Sequence, residues 1–246
     1  MKTHRVNKKS DSVVTKTFIP SSSSSQVIPS SSLLPINIIR AKNNSSNRGN
    51  SSNYASEQRS KAREIVNGLL RKNIKLLAID FDKTFLSIHT MGYYQGQVEK
   101  LLEYIRSTFY YLIQELLNTP TYSQILHVCI VSFSSQHTLI KKLLKLAFKT
   151  SKTDRILIRC NTNEFMSCMA TDGQDTSSFL GKEYHITSII TEIATKRNKT
   201  IQPHEVLLLD DDVTNILIAE EFGHKALEIR DEINLDLLNE FVNNYL

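Results

Sequence analysis

The chain has 246 residues and a mass of 28.1 kDa, room for one large domain with additions or two small ones. Hydrophobic residues make up 40% and charged residues 22%, an ordinary globular composition, and the longest apolar runs reach only about half a dozen residues against the ~20 that a membrane helix needs. Three cysteines, Cys129, Cys160 and Cys168, are odd in number, follow no secretory h-region and lack zinc spacing, which argues against a disulfide scaffold and a structural zinc site alike.

The net charge of +5 and the pI near 9.0 suggest a nucleic-acid binder until the chain is divided. Residues 1–63 hold 11 Lys and Arg against 2 Asp and Glu, a net of +9, whereas residues 64–246 hold 19 basic and 23 acidic residues, a net of −4. The positive charge belongs to a tail and the body is mildly acidic, so a core that grips DNA or RNA is disfavoured.

Residues 1–56 read as a disordered, basic tail and 57–246 as the folded domain. The tail is rich in Ser and Asn, with a Ser run from Ser21 to Ser25 and prolines at Pro20, Pro29 and Pro35; such a segment buries too little apolar surface to offset its ordering entropy. Its one apolar island is 33–39 (LLPINII). Two readings of the tail stand side by side: a solvated appendage of a cytoplasmic or nuclear protein, and an organellar targeting segment, which shares the basic, Ser-rich, acid-poor composition.

Beyond Ser56 helices and strands alternate. Residues 56–73 predict a capped helix with Ile65, Val66, Leu69 and Leu70 on one face. The run 74–80 (IKLLAID) predicts a buried strand, 94–117 one long amphipathic helix, 124–132 (QILHVCIVS) a second strand, and 136–148 a helix. A third strand over 155–160, a loop over 161–180, a helix over 183–196, a fourth strand over 205–210 (EVLLLD) and a helix over 213–222 closed by Gly223 follow. A strand over 225–229 and a helix over 235–245 end the pattern. The alternation means an α/β fold with a mainly parallel sheet flanked by helices. In such sheets ligands bind beyond the carboxyl ends of the strands.

Those ends carry the chemistry. The first strand runs into Asp80-Phe81-Asp82-Lys83-Thr84, the second ends in Ser132, the fourth in Asp210-Asp211-Asp212, and Lys182 precedes the helix that leads into the fourth. Strand alternation would send Asp80 and Asp82 to the same side. Carboxylates gathered there, with Asp210 and Asp211, call for a hard divalent cation such as Mg2+; a Ser hydroxyl and a Lys ammonium beside it are donors for phosphate oxygens.

The order DxDxT (Asp80, Asp82, Thr84), strand plus Ser132, Lys182, and strand plus Asp210-Asp211 resembles the four motifs of the haloacid dehalogenase-like (HAD) phosphohydrolase superfamily, over about 74–229. It is most similar to the capless magnesium-dependent phosphatase group, where the lysine occurs as KxxH (Lys182 and His185) and the last motif as DDxxxN (Asp210, Asp211 and Asn215). The resemblance implies a Rossmann-like HAD fold without a large cap domain and Mg2+-dependent hydrolysis of a phosphate monoester through an aspartyl-phosphate. It implies Asp80 as nucleophile and Asp82 as general acid and base. Asp80, the Asp82 backbone carbonyl and Asp210 or Asp211 would hold Mg2+, and Ser132, Thr84 and Lys182 the phosphoryl group.

Plainer readings accompany each residue. Asp82 and Thr84 can cap a turn, and Asp210 to Asp212 can form a helix N-terminus, where acids are favoured. Lys196 rivals Lys182 without the KxxH context. His185 reads as packing, and His89, His127, His137, His204 and His224 have no metal spacing and read as structural or surface residues. Tyr93 or Tyr94 could line the site mouth, and Asp212 and Asn215 could orient metal waters. Receiver domains share the parts but place the DD pair on the first strand, the reverse of the order here. A HAD-fold binding or regulatory protein without turnover, and a nucleic-acid end phosphatase, stand as alternatives. The site reads as open, to a small phosphate ester or a phosphoprotein, with no membrane partner and nucleic acid disfavoured by the acidic body.

Overall fold

Strands that end in a carboxylate or a serine and helices with one apolar stripe can bury both only by stacking, and the chain does so in three layers. In chain order the elements are α1 (Arg48–Arg71), β1 (Leu76–Asp80), α2 (Ser107–Asn118), α3 (Pro120–Ile125), β2 (His127–Ser132), α4 (His137–Phe148), β3 (Leu157–Cys160), α5 (Asn163–Met169), α6 (Glu183–Arg197), β4 (Val206–Asp210), α7 (Val213–Glu221), β5 (Lys225–Glu228) and α8 (Leu235–Asn244). This computed structural model describes residues 48–169 and 180–246. The apolar island at 33–39 and the polar segment 171–175 lie outside the described residues.

All five strands run parallel in the order β3-β2-β1-β4-β5. The chain moves outward from β1 through β2 to β3, then crosses to the other side of β1 for β4 and β5. That reversal opens a crevice between the carboxyl ends of β1 and β4, the place where open α/β sheets bind ligands. The fold is therefore α/β and Rossmann-like, and among the described residues no second sheet covers the crevice.

The central strands β1, β2 and β4 are buried on both faces, which is why they read as near-continuous apolar runs, while the edge strands β3 and β5 are only partly buried. From β1, Leu77 and Ile79 join the larger core with Ile65 and Leu69 of α1, Phe109 and Leu112 of α2, Leu143 of α4 and Leu238 of α8. Leu76 and Ala78 face the other way, against Ile186, Ile189 and Ile193 of α6 and Ala219 of α7. Each such fully buried large side chain contributes about 1.5–3 kcal/mol. α1 and α8 approach so closely that a Cβ on Gly68 would stand 2.6 Å from Val242 Cγ1, so a glycine is needed at that crossing.

Four sequence-based assignments change. The first helix begins at Arg48 rather than 56. The long helix expected over 94–117 is two pieces, a 3-10 turn at Val98–Tyr104 and α2 from Ser107. Between them Ile105 and Arg106 are extended (ψ 122 and 130), because Ile105 forms an antiparallel bridge to Leu86 and the Arg106 guanidinium donates to the Lys83 carbonyl at 2.9 Å. The apolar spacing runs on across the break because Leu101, Ile105 and Phe109 all enter the same core. The second strand starts at His127, since Pro120–Ile125 turns as α3, and Asn163–Met169 of the expected 161–180 loop is helical.

Candidate functional site

β1 ends at Asp80 and the chain then makes a wide turn over Phe81–Phe85, closed by Leu86 N–H donating to the Phe81 carbonyl at 2.9 Å. Phe81 and Phe85 are buried and stack 6.2 Å apart beneath it, which anchors the turn in the core. Lys83 takes the left-handed region at φ 54, a conformation uncommon for a residue with a Cβ and concentrated at functional turns. Residues 86–105 then leave the sheet and return at the Leu86–Ile105 bridge.

Lys182 and Asp80 form the centre. The Lys182 Nζ lies 2.7 Å from Asp80 Oδ1, both side chains are buried, and the ammonium sits 3.7 Å over the Phe133 ring. A buried ion pair of this kind is expensive to assemble and is strongly destabilised when one partner is removed. The rival Lys196 is 72% exposed and pairs with Glu192 one helical turn away, a surface salt bridge worth little. Gly181 brings Lys182 in: its φ is +49, and a Cβ there would lie 3.0 Å from Asn215 Oδ1.

Oxygens of Asp80, Asp210 and Asp211 all lie within 4.8 Å of one another. Asp210 Oδ1 accepts from the Asp212 N–H at 2.9 Å and from Asn215 Nδ2 at 3.0 Å, while Asp210 Oδ2 is buried with no hydrogen-bond partner among the described residues. An orphaned buried carboxylate oxygen in a cluster of three carboxylates is what a hard cation would ligate, so the residues fit Mg2+. The Asp80 carboxyl is pushed up to about 8: burial raises it most, Asp210 and Asp211 add to the rise, and Lys182 opposes it. Burial raises Asp210 and Asp211 as well, with Lys182 opposing both shifts. A dication held among them would reverse these shifts.

The two aspartates of the first motif have different partners. The Asp82 side chain is outside the carboxylate cluster and is held by the loop that follows the turn: Thr90 N–H donates to its Oδ1 at 3.0 Å, Thr90 Oγ1 to Oδ2 at 3.1 Å, and His89 Nδ1 lies 3.0 Å from Oδ2. Strand alternation does not extend beyond Asp80, because the strand stops there. Thr84 is buried, and its hydroxyl donates to Asp211 Oδ1 at 3.5 Å. Ser132 is buried at the end of β2, and its Oγ accepts from Ser134 N–H at 3.1 Å.

Asp212 caps α7, accepting from Thr214 N–H at 2.8 Å, so its structural reading holds, whereas Asn215 reaches Asp210. His185 packs between the rings of Phe133 and Phe165, and its Nε2 bonds Asn161 Oδ1 at 2.8 Å. Burial first, then Lys182 and Arg159, push its pKa down to about 3, so it is a neutral wall of the site. His89, Thr90, Asn161 and Phe133 carried no functional signal in the sequence; only the position of Phe133 directly after Ser132 could have drawn attention. Beside the crevice a cavity of about 1060 Å³ opens along Ser135, His137, Arg159, Cys160 and Phe165. Tyr93 is exposed, and the backbone of Tyr94 is pinned by the Gln136 amide at 2.7 and 2.8 Å.

Among the described residues no helix is long and apolar enough to cross a membrane. Compared with known proteins, the chain matches no family model and no curated protein.

Proposed function

We propose that the chain is a HAD-type phosphohydrolase that cleaves a phosphate monoester, with Mg2+ as cofactor and Asp80 as the nucleophile. The observation that carries this reading is the pairing of buried Asp80 with buried Lys182 at 2.7 Å inside the Asp80, Asp210 and Asp211 cluster, with the Asp82 carboxylate held separately by Thr90. That arrangement separates the group that bonds phosphorus from the group that moves a proton. An Asp80 oxygen attacks phosphorus as the bond to the leaving oxygen breaks, and Asp82 delivers its proton to that oxygen. Asp82 then takes a proton from water as the water attacks the aspartyl-phosphate, which frees phosphate and restores Asp80.

Lys182 and Ser132 would hold the phosphoryl oxygens, and Thr84 keeps Asp211 in place. Asp80, Asp210, Asp211 and the Asp82 carbonyl would hold Mg2+, which would supply charge neutralisation between carboxylate and phosphate. The open cavity beside Ser135 and Arg159 has room for a leaving group larger than a simple alcohol, which suits either a small phosphate ester or a phosphoprotein.

The test is a panel of phosphate esters and phosphopeptides incubated with the full chain, with Mg2+ and with chelator. Release of phosphate that depends on Mg2+ is the expected result. A folded chain that hydrolyses nothing under either condition would replace the enzyme reading with that of a binding protein.

A further inference from the structure

The opposite end of the same sheet carries the opposite charge. β2 opens on His127, Arg155 stands just before β3, and α6 runs out at Arg197, two residues before Lys199. These four line one cavity of about 340 Å³ together with Ser123 and Gln124, and among the described residues no carboxylate lines it. Among the described residues Arg155, Arg197 and Lys199 form no ion pair, although Lys75, Lys145 and Lys196 each find an acid.

The contacts these cations do make are to neutral groups, which orient them and cancel no charge. Arg155 Nη1 donates to Ser123 Oγ at 3.2 Å, Lys199 Nζ donates to the Gln124 carbonyl, and Arg197 Nη1 lies 2.8 Å from His127 Nδ1. A guanidinium can only donate, so Nδ1 is the acceptor and the ring proton sits on Nε2. That N–H is buried without a partner among the described residues, in a residue only 5% exposed. Burial, followed by the charges of Arg197 and Lys199, holds the His127 pKa down at about 4, so the ring brings no charge of its own to the cavity.

We propose that this cavity binds the phosphate group of a small phosphorylated compound, at a site separate from the acidic crevice. Two guanidiniums supply planar donor forks and the lysine a point charge, the set that recognises a phosphate dianion. The cavity is near the lower end of the ~300–1000 Å³ typical of small-ligand sites. A nucleic-acid strand would instead need a basic stripe, and the body outside the tail is net negative. His127 and Ser132 stand at opposite ends of β2, about 16 Å apart at ~3.3 Å per residue, so one small molecule does not fill both sites.

The test is titration of the ¹⁵N-labelled full chain with inorganic phosphate in Mg2+-free buffer, with sodium chloride at matched ionic strength as control. Saturable shifts of the Gln124, His127, Arg155 and Lys199 amides are expected. The double variant Arg155→Gln, Lys199→Gln changes two exposed residues and should weaken that binding at least about tenfold, with the thermal midpoint unchanged. Phosphate in the crevice would move the Ser132 and Asp211 amides instead, which keeps the two sites distinguishable. Shifts that chloride reproduces, that fail to saturate, or that persist in the double variant overturn the proposal. Tighter binding of a short single-stranded oligonucleotide at the same amides would overturn it in favour of nucleic acid.

Discussion

The two ends of the parallel sheet are built from the same strands and have opposite character. At the carboxyl ends of β1 and β4 three carboxylates crowd around one buried lysine. At the amino ends of β2 and β3 three cations surround a buried, neutral histidine with no acid among the described residues that line the cavity. Each end also holds a histidine that burial and neighbouring cations keep uncharged, His185 above and His127 below. A parallel sheet brings like ends of distant strands together, so residues far apart in sequence can concentrate charge at either rim. The difference lies in burial. Asp80, Asp210 and Lys182 are inside, where pairing must offset desolvation, whereas Arg155, Arg197 and Lys199 remain in solvent, where uncompensated charge is tolerable.

The largest break falls at the acidic end. Asp80→Asn should abolish turnover and the phosphoryl-enzyme, since an amide is a poor nucleophile and a poorer Mg2+ ligand, while phosphate shifts at the basic end persist. Rapid quench with a labelled ester followed by peptide mapping checks this in the parent chain; a label on any residue other than Asp80 refutes the assignment. Next comes Asp82→Asn, which keeps the backbone carbonyl and loses the proton carrier. A rate loss of roughly 10²–10⁴-fold is expected. With an activated leaving group that needs no proton, the variant should still form the aspartyl-phosphate and then stall. A burst of product without steady turnover is the signature, and equal loss of both phases would contradict the division of labour.

The smallest effect concerns stability and compares the two histidines. Both have folded pKa values below the ordinary 6.5, at about 3 for His185 and about 4 for His127. For a base with a depressed pKa the unfolded chain takes up the proton first, so stability is intact above pH 6.5 and falls as pH drops towards those values. Each histidine costs at most about 1.4 kcal/mol per pH unit in that window. Thermal midpoints measured between pH 8 and 5 should therefore decline on the acid side, and His127→Asn should flatten the decline. An unchanged slope in that variant would mean that His127 is accessible and titrates normally.

The α/β class, the parallel sheet, all five strands and the polar residues that end three of them, Asp80, Ser132 and Asp210, were legible in the sequence. Buried strands read as apolar runs, and their polar ends stand out against them. Lys182 over Lys196 was also readable from the position each takes in its helix, and the structure separates them by burial. The split of the 94–117 helix was not legible, because one continuous apolar face serves two helices that pack on one core. Nor were His89 and Thr90, which have no pattern of their own and acquire a partner only when the turn after β1 folds back on itself.

By itself, then, the sequence determined periodicity, the carboxyl ends of the central strands and the acidic motif, all of which are local in the chain and follow from the spacing of apolar and charged residues. Only the tertiary structure decided which charges meet. Asp80 with Lys182, Asp210 with Asn215, and the gathering of Arg155, Arg197 and Lys199 around one cavity depend on strand order and on which helix covers which face. Electrostatic partnership is set by distance and burial through space, and neither is encoded in separation along the chain.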